Sequence, residues 1–265
     1  MENKTILFVK FGERKHIKRL FDGKLYFSNA DCFRNIEKKN GLKGQGDAFE
    51  AILQLKNGQA ILINQGTNHG ALWPNVNINL GLGDTVNIPV FCLTYITDTD
   101  CTIENVGGKN ILKVNEDIKA TIKQHFPKAD TAGVFFNPIQ FTKCIEQLGM
   151  VVHDNVQYYD FSPKGTIVEL IDYITKFPGK ITKTNQLFAS MTLELDSGSR
   201  RQLELTTHNI NRILFCKDSF FEEEKEYRFI LPNKRISEPQ DFYVRWFSQK
   251  KKMLTLDEFF SGIEL

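Results

Sequence analysis

Residues 220–232 read FFEEEKEYRFILP: three consecutive carboxylates, Glu222, Glu223 and Glu224, then Lys225, Glu226, Tyr227 and Arg228, then three apolar residues. Read as a strand, period-two alternation puts Glu224, Glu226 and Arg228 on one face and Phe221, Lys225, Tyr227 and Phe229 on the other. Such a row can hold a glutamate in a cleft, with Arg228 balancing two carboxylates. The competing reading is a solvated edge strand entered from an acidic turn.

A second block carries chemistry of another kind. Residues 20–34 read LFDGKLYFSNADCFR, and residues 44–50 read GQGDAFE. A helix stops at the Asp22-Gly23 turn, and a strand follows with Tyr26 and Ser28 on one face and Leu25 and Phe27 on the other. Phe33 and Arg34 come just beyond. Such a turn can offer backbone N–H groups, a serine hydroxyl and an arginine to a phosphate. A tight helix–turn–strand with an exposed arginine accounts for the same residues.

Other chemistries lack their signatures. No G-x-G-x-x-G follows a strand and there is no Walker A sequence. The five histidines, His16, His69, His125, His153 and His208, form no H-E-x-x-H or H-x-x-x-H pair. No G-x-S-x-G elbow is present. The five cysteines contain no C-x-x-C pair, so neither a disulfide framework nor a zinc site is expected, and a reducing cytoplasm fits. A net charge of +2 announces neither nucleic acid nor membrane. The short apolar run at residues 6–9 is read as neither signal peptide nor spanning helix, and no membrane partner is expected.

The elements that must position these residues follow from periodicity. Residues 5–11 read as a buried strand, 13–21 as a helix, 24–28 as a strand and 29–33 as a turn into a short helix. Residues 38–47 read as a polar, glycine-rich loop. Residues 49–55 and 59–64 read as a hairpin closed by Asn57-Gly58, and 65–88 as an Asn/Gly-rich surface insertion. Strands are expected at 90–96, 132–136, 150–158, 227–231 and 242–247. Helices are expected at 115–125, 138–148, 167–177 and 256–260; residues 202–214 suit either. Strands and helices alternate irregularly, which predicts an α+β fold with mixed or antiparallel sheets, in a single domain over residues 1–265.

Four short motifs carry a resemblance. They are L-x-x-G-K-L-Y-F-S-x-x-x-x-F at 20–33, D-x-x-E at 47–50, V-x-Y at 156–158 and F-x-K-D-x-x-F-x-x-E-x-E-Y-R at 215–228. Together they resemble a bacterial family of unknown function whose members often sit in phage-defence loci. That family in turn looks like the ADP-ribosyltransferase fold, which includes DNA- and RNA-modifying toxins. The resemblance implies sheets around a central cleft and NAD as a substrate. It implies Glu226 as the essential late glutamate, with Glu224 as its E-x-E companion. It implies Lys10, Tyr26, Ser28, Phe33, Arg34 and Arg228 on the NAD side. Lys10 stands where the fold usually has histidine or arginine, and Tyr26 and Ser28 are nearest to its serine-threonine-serine triplet. The implied protein is a cytoplasmic anti-phage toxin that needs no metal and modifies a nucleic acid or protein acceptor, with an antitoxin as a candidate partner.

Two other readings stand beside it. Asp47, Glu50, Glu224 and Glu226 could gather magnesium in a nuclease, with Lys217 near the scissile phosphate. The chain could instead be a non-catalytic module that senses a phage component or binds an antitoxin. The run Lys250, Lys251 and Lys252, beside Tyr243, Arg245, Trp246 and Phe247, suits single-stranded nucleic acid or a solvated strand.

Overall fold

The computed structural model describes residues 4–40, 47, 50–63, 70–81, 83–159, 187–194, 200–206 and 210–265. The expected helix at 167–177 lies outside the described residues. In chain order the first elements are β1 (Thr5–Gly12), α1 (Arg14–Phe21), β2 (Lys24–Phe27), α2 (Ala30–Asn40), β3 (Ile52–Ile63) and β4 (Gly70–Gly81). Then come β5 (Val90–Thr97), β6 (Cys101–Val106), β7 (Lys109–Val114), α3 (Glu116–His125), β8 (Thr131–Phe135), α4 (Pro138–Ile145), β9 (Val152–Asn155) and β10 (Gln157–Tyr159). The last group is β11 (Leu187–Glu194), β12 (Arg200–Thr206), β13 (Cys216–Asp218), β14 (Glu226–Ile230), β15 (Gln240–Tyr243), β16 (Lys251–Thr255), α5 (Leu256–Ser261) and β17 (Ile263–Glu264). The architecture is mixed α and β, with mostly antiparallel sheets and no barrel.

The central sheet has the order β16-β8-β1-β5-β14-β9, and every neighbouring pair is antiparallel. Alternation sorts its side chains onto two faces. Leu7, Val9, Ile96, Val134 and Leu254 pack on one face with Ile122 and Phe259 from α3 and α5. Phe8, Phe91, Leu93, Phe135 and Phe229 pack on the other around Phe141 of α4. Helix α1 lies against β8 at Gly133, where an added Cβ would meet Ile17 Cγ2 at 2.8 Å. Among the described residues, no helix is long and apolar enough to cross a membrane.

The sheet forks between β1 and β5. Their ladder runs from Thr5–Thr97 to Val9–Thr94 and stops there. Strand β1 continues on β8 to the Gly12–Thr131 pair, while β5 continues on β14 to Val90–Ile230. Ser28 takes the vacated edge of β5: its N–H donates to Val90 O (3.0 Å) and its carbonyl accepts from Val90 N (2.8 Å).

Several expected boundaries move. The helix α2 runs to Asn40, past the expected loop start at Lys38; at its entry Asn29 Oδ1 accepts from Cys32 N (2.9 Å) and caps it. Asn57-Gly58 is not a turn: both lie inside β3, whose register with β4 shifts around Gly58. An Asn-Gly pair closes a hairpin only where the strands reverse, and here it sits at a bulge. Part of the expected insertion at 65–88 is therefore strand β4 and a 3₁₀ turn, Gly83–Asn87. The expected strand at 150–158 divides at Val156 into β9 and β10, which join different sheets. Residues 202–214 divide into β12 and a 3₁₀ segment, Ile210–Phe215. The β6–β7 hairpin, turned by Gly107 (φ 61°) and Gly108 (φ 80°), was not expected from the sequence.

Candidate functional site

A cavity of about 780 Å³ opens at the fork. Its floor is the parted ends of β1 and β5, including Lys10, Cys92 and Thr94. One wall comes from β2, the turn after it and the start of α2, with Tyr26, Ser28 and Phe33; the opposite wall carries Glu224, Glu226 and Arg228. The volume lies within the ~300–1,000 Å³ typical of small-molecule sites.

Alternation on β14 does place Glu226 and Arg228 on one face, where they lie across from Thr94 and Cys92 of β5. Glu226 is 6% exposed and Arg228 1%. The guanidinium is shared between two glutamates. Its Nε donates to Glu226 Oε1 (2.6 Å) and its Nη2 to Glu226 Oε2 (3.1 Å). Nη1 and Nη2 also donate to the two carboxylate oxygens of Glu50, and Nη1 to Leu214 O. This uses the planar fork of arginine as no lysine could.

Glu224 is not part of the strand. It ends a 3₁₀ segment, Ser219–Glu224, and Lys225 then turns the chain with φ 46°. Two ties bring Glu224 back to the site. Thr94 Oγ1 donates to its carbonyl (3.2 Å), and Lys217 Nζ donates to both Glu224 Oε2 (2.7 Å) and Glu226 Oε2 (3.2 Å). Lys217 arrives on β13, which pairs in parallel with β10 and sets Lys217 beside Tyr158. The Tyr158 hydroxyl accepts from Glu226 N (2.9 Å). Phe221 corrects the alternation argument: it is buried, lines the cavity and lies beneath Lys217 Nζ, 4.1 Å from its ring centroid.

Electrostatics follow from this packing. Burial opposes charge on Glu226, but Arg228 and Lys217 outweigh it and hold the carboxyl well below the usual range. Burial also opposes charge on Lys217 and Arg228; the glutamates outweigh it, and both cations are held above their ordinary values. Burial first, and Glu226 second, push the Cys92 thiol well up. Burial likewise raises the Tyr158 phenol. Glu226, Lys217 and Arg228 are therefore fixed charges near neutral pH.

The predicted NAD-side residues fare differently. Tyr26 lines the cavity with 57% of its surface exposed, and Ser28 and Phe33 line it beside Tyr26. Lys10 lines the floor; its Nζ donates to Cys92 O (2.7 Å) and lies 5.5 Å from the Phe91 ring centroid. Arg34 does not line the cavity. Its Nε donates to Glu50 O (2.7 Å), so it holds the segment that supplies Glu50, and burial lowers its pKa. Arg228 lines the cavity but its guanidinium is engaged by Glu226, Glu50 and Leu214.

Three of the four carboxylates proposed for magnesium, Glu50, Glu224 and Glu226, are arranged around side-chain cations. Arg228 fills the space between Glu50 and Glu226, and Lys217 that between Glu224 and Glu226. Among the described residues, no three His, Cys, Asp or Glu side chains group so as to hold a metal. The lysine run is also partly structural. Lys251 Nζ donates to Phe21 O, and Lys250 Nζ lies 4.8 Å from the Phe136 ring centroid.

Sequence reasoning missed Cys92, Tyr158, Phe221 and His125 as cavity or network residues. Tyr158 was within a quoted motif, V-x-Y, but its distance along the chain from Glu226 hid the contact. Comparison with known proteins returned no match: no family model, no curated protein and no solved structure is significantly similar to this chain.

Proposed function

We propose that the cavity binds NAD and that the chain is an ADP-ribosyltransferase acting as a toxin in anti-phage defence, with a nucleic acid or protein as acceptor. One observation carries the reading. A single cavity at the sheet fork collects Lys10, Tyr26, Ser28, Phe33, Glu224 and Glu226 from three distant parts of the chain. The defence role rests on the resemblance of the motifs alone.

Breaking the nicotinamide–ribose bond develops oxocarbenium character on the ribose. In this reading Glu226 stabilises that charge through the ribose hydroxyls. Arg228 and Lys217 keep it ionised and fix its rotamer, so no proton has to leave before the reaction. Tyr26 offers an aromatic face to the cationic nicotinamide ring. Ser28 and Lys10 face the pyrophosphate, and Arg34 supports Glu50 from behind. Glu224, nearer the mouth, orients the acceptor.

The test uses NAD labelled in nicotinamide. The wild type should release label, and Glu226→Gln should release it about 10²–10³ times more slowly. EDTA should change neither rate. Equal release by the two proteins would remove Glu226 from this role, and abolition by EDTA would favour the nuclease reading. Toxicity on expression in bacteria, lost in Glu226→Gln, is expected of an enzyme; no turnover with any toxicity retained is expected of a binding module.

A further inference from the structure

His125 belongs to none of the motifs above, yet it sits in the same cavity. It is the last residue of α3, and its side chain is 5% exposed. Helix α3 packs on the 3₁₀ segment that carries Glu223 and Glu224. Imidazole Nε2 stands 3.5 Å from Glu223 Oε2, and Nδ1 3.9 Å from Glu224 Oε1. Both separations exceed a good hydrogen bond. The ring is thus flanked by two carboxylates, and His125 is one of the residues that line the cavity.

The positions form an ordered line. Glu226 is tied to Lys217, Lys217 to Glu224, and Glu224 faces His125. The sugar-stabilising carboxylate and the imidazole therefore lie at opposite ends of one charged row.

We propose that His125 is the general base for the acceptor. The inference rests on the NAD reading and adds the residue that completes the transfer. The acceptor's O–H or N–H gives its proton to the imidazole. The acceptor's lone pair forms the new bond to ribose C1′. The C1′–nicotinamide bond breaks, and its electron pair leaves on neutral nicotinamide. Glu223 and Glu224 stabilise the imidazolium that results, and the proton is later lost to water. Histidine suits the role because imidazole can take a proton from a positioned hydroxyl or amine and pass it on. The acceptor class is a neutral hydroxyl or amine, which needs a base, and not a carboxylate or phosphate, which does not.

Among the described residues, the charged groups paired with the ring are Glu223 and Glu224 on the 3₁₀ segment; Lys217 on β13 pairs with Glu224, and Lys128 on the loop after α3 lines the same cavity. The experiment supplies adenylate-labelled NAD with a total bacterial extract as the acceptor pool. It records macromolecular label per nicotinamide released. In His125→Gln this ratio should be lower than in the wild type by about 10²–10⁴, while nicotinamide release changes far less. Added imidazole should restore transfer to His125→Ala.

An unchanged ratio in His125→Gln, with nicotinamide still released, overturns the proposal and leaves the NAD reading standing. No nicotinamide release from the wild type overturns both.

Discussion

Arg228 is the residue on which the site turns. It is one of the largest fully buried side chains, and its guanidinium separates Glu50 from Glu226. Replacing it with methionine would leave two buried carboxylates facing each other. Loss of one partner of a buried charge network typically costs about 3–5 kcal/mol. Arg228→Met should therefore lower the urea midpoint strongly, and a double variant with Glu50→Gln should recover part of the loss. If Arg228→Met unfolds at the wild-type midpoint, the network is not closed as described.

Glu226 adds a pH dependence whose sign follows from its lowered pKa. The unfolded chain takes up a proton on this glutamate near about pH 4.3, where the folded chain still holds it ionised. More protons are bound in the unfolded state across that window. Stability is therefore complete above the unfolded value and falls as pH drops toward the folded one, by about 1.4 kcal/mol per pH unit per proton. Thermal unfolding followed between about pH 3 and 7 should show a shallower acid limb in Glu226→Gln than in the wild type. Identical limbs would mean that Glu226 is not held by Arg228 and Lys217.

At the scale of elements, two turns set the geometry. Gly23 adopts φ 84°, and a Cβ there would come within 2.2 Å of Val244 O. Its carbonyl also accepts from Val244 N (2.9 Å), which docks the segment after β15 beside β2. Gly23→Ala meets both a left-handed backbone and a backbone clash, so it should be among the most destabilising alanine variants, at more than about 1 kcal/mol. The end of the chain is fixed more gently. Thr255 and Glu258 form a capping box at α5: Thr255 Oγ1 accepts from Glu258 N (3.2 Å) and Glu258 Oε2 accepts from Thr255 N (2.8 Å). Thr255→Ala should cost about 1 kcal/mol by chemical denaturation and leave nicotinamide release unchanged.

At the scale of the molecule, the cavity exists because the sheet divides while its cores hold both branches. Phe141 of α4 spans the division on the far face. Its ring lies 4.7 Å from that of Phe135 on β8, 5.6 Å from Phe8 on β1, 6.4 Å from Phe91 on β5 and 5.6 Å from Phe229 on β14. A Phe→Ala change at a buried site costs about 3–5 kcal/mol. Phe141→Ala should cost that much and also loosen the fork, seen as faster hydrogen exchange at Val9, Thr94 and Glu226. Exchange confined to α4 would show that the branches are held without it.

The local pattern of the chain was enough for much of this. Apolar runs marked β1, β5, β8 and β14, Pro138 marked the start of α4, and alternation put Glu226 with Arg228 and Tyr26 with Ser28. These follow from forces between near neighbours, which spacing records directly. Spacing could not show that Lys217, not Arg228, serves Glu224, that Arg34 supports Glu50, or that Asn57-Gly58 lies within a strand. Each depends on partners far along the chain, or on a neighbouring strand's register. Ionic pairing and bulges depend on distance in space, and only the folded sheet, with its division between β1 and β5, sets those distances.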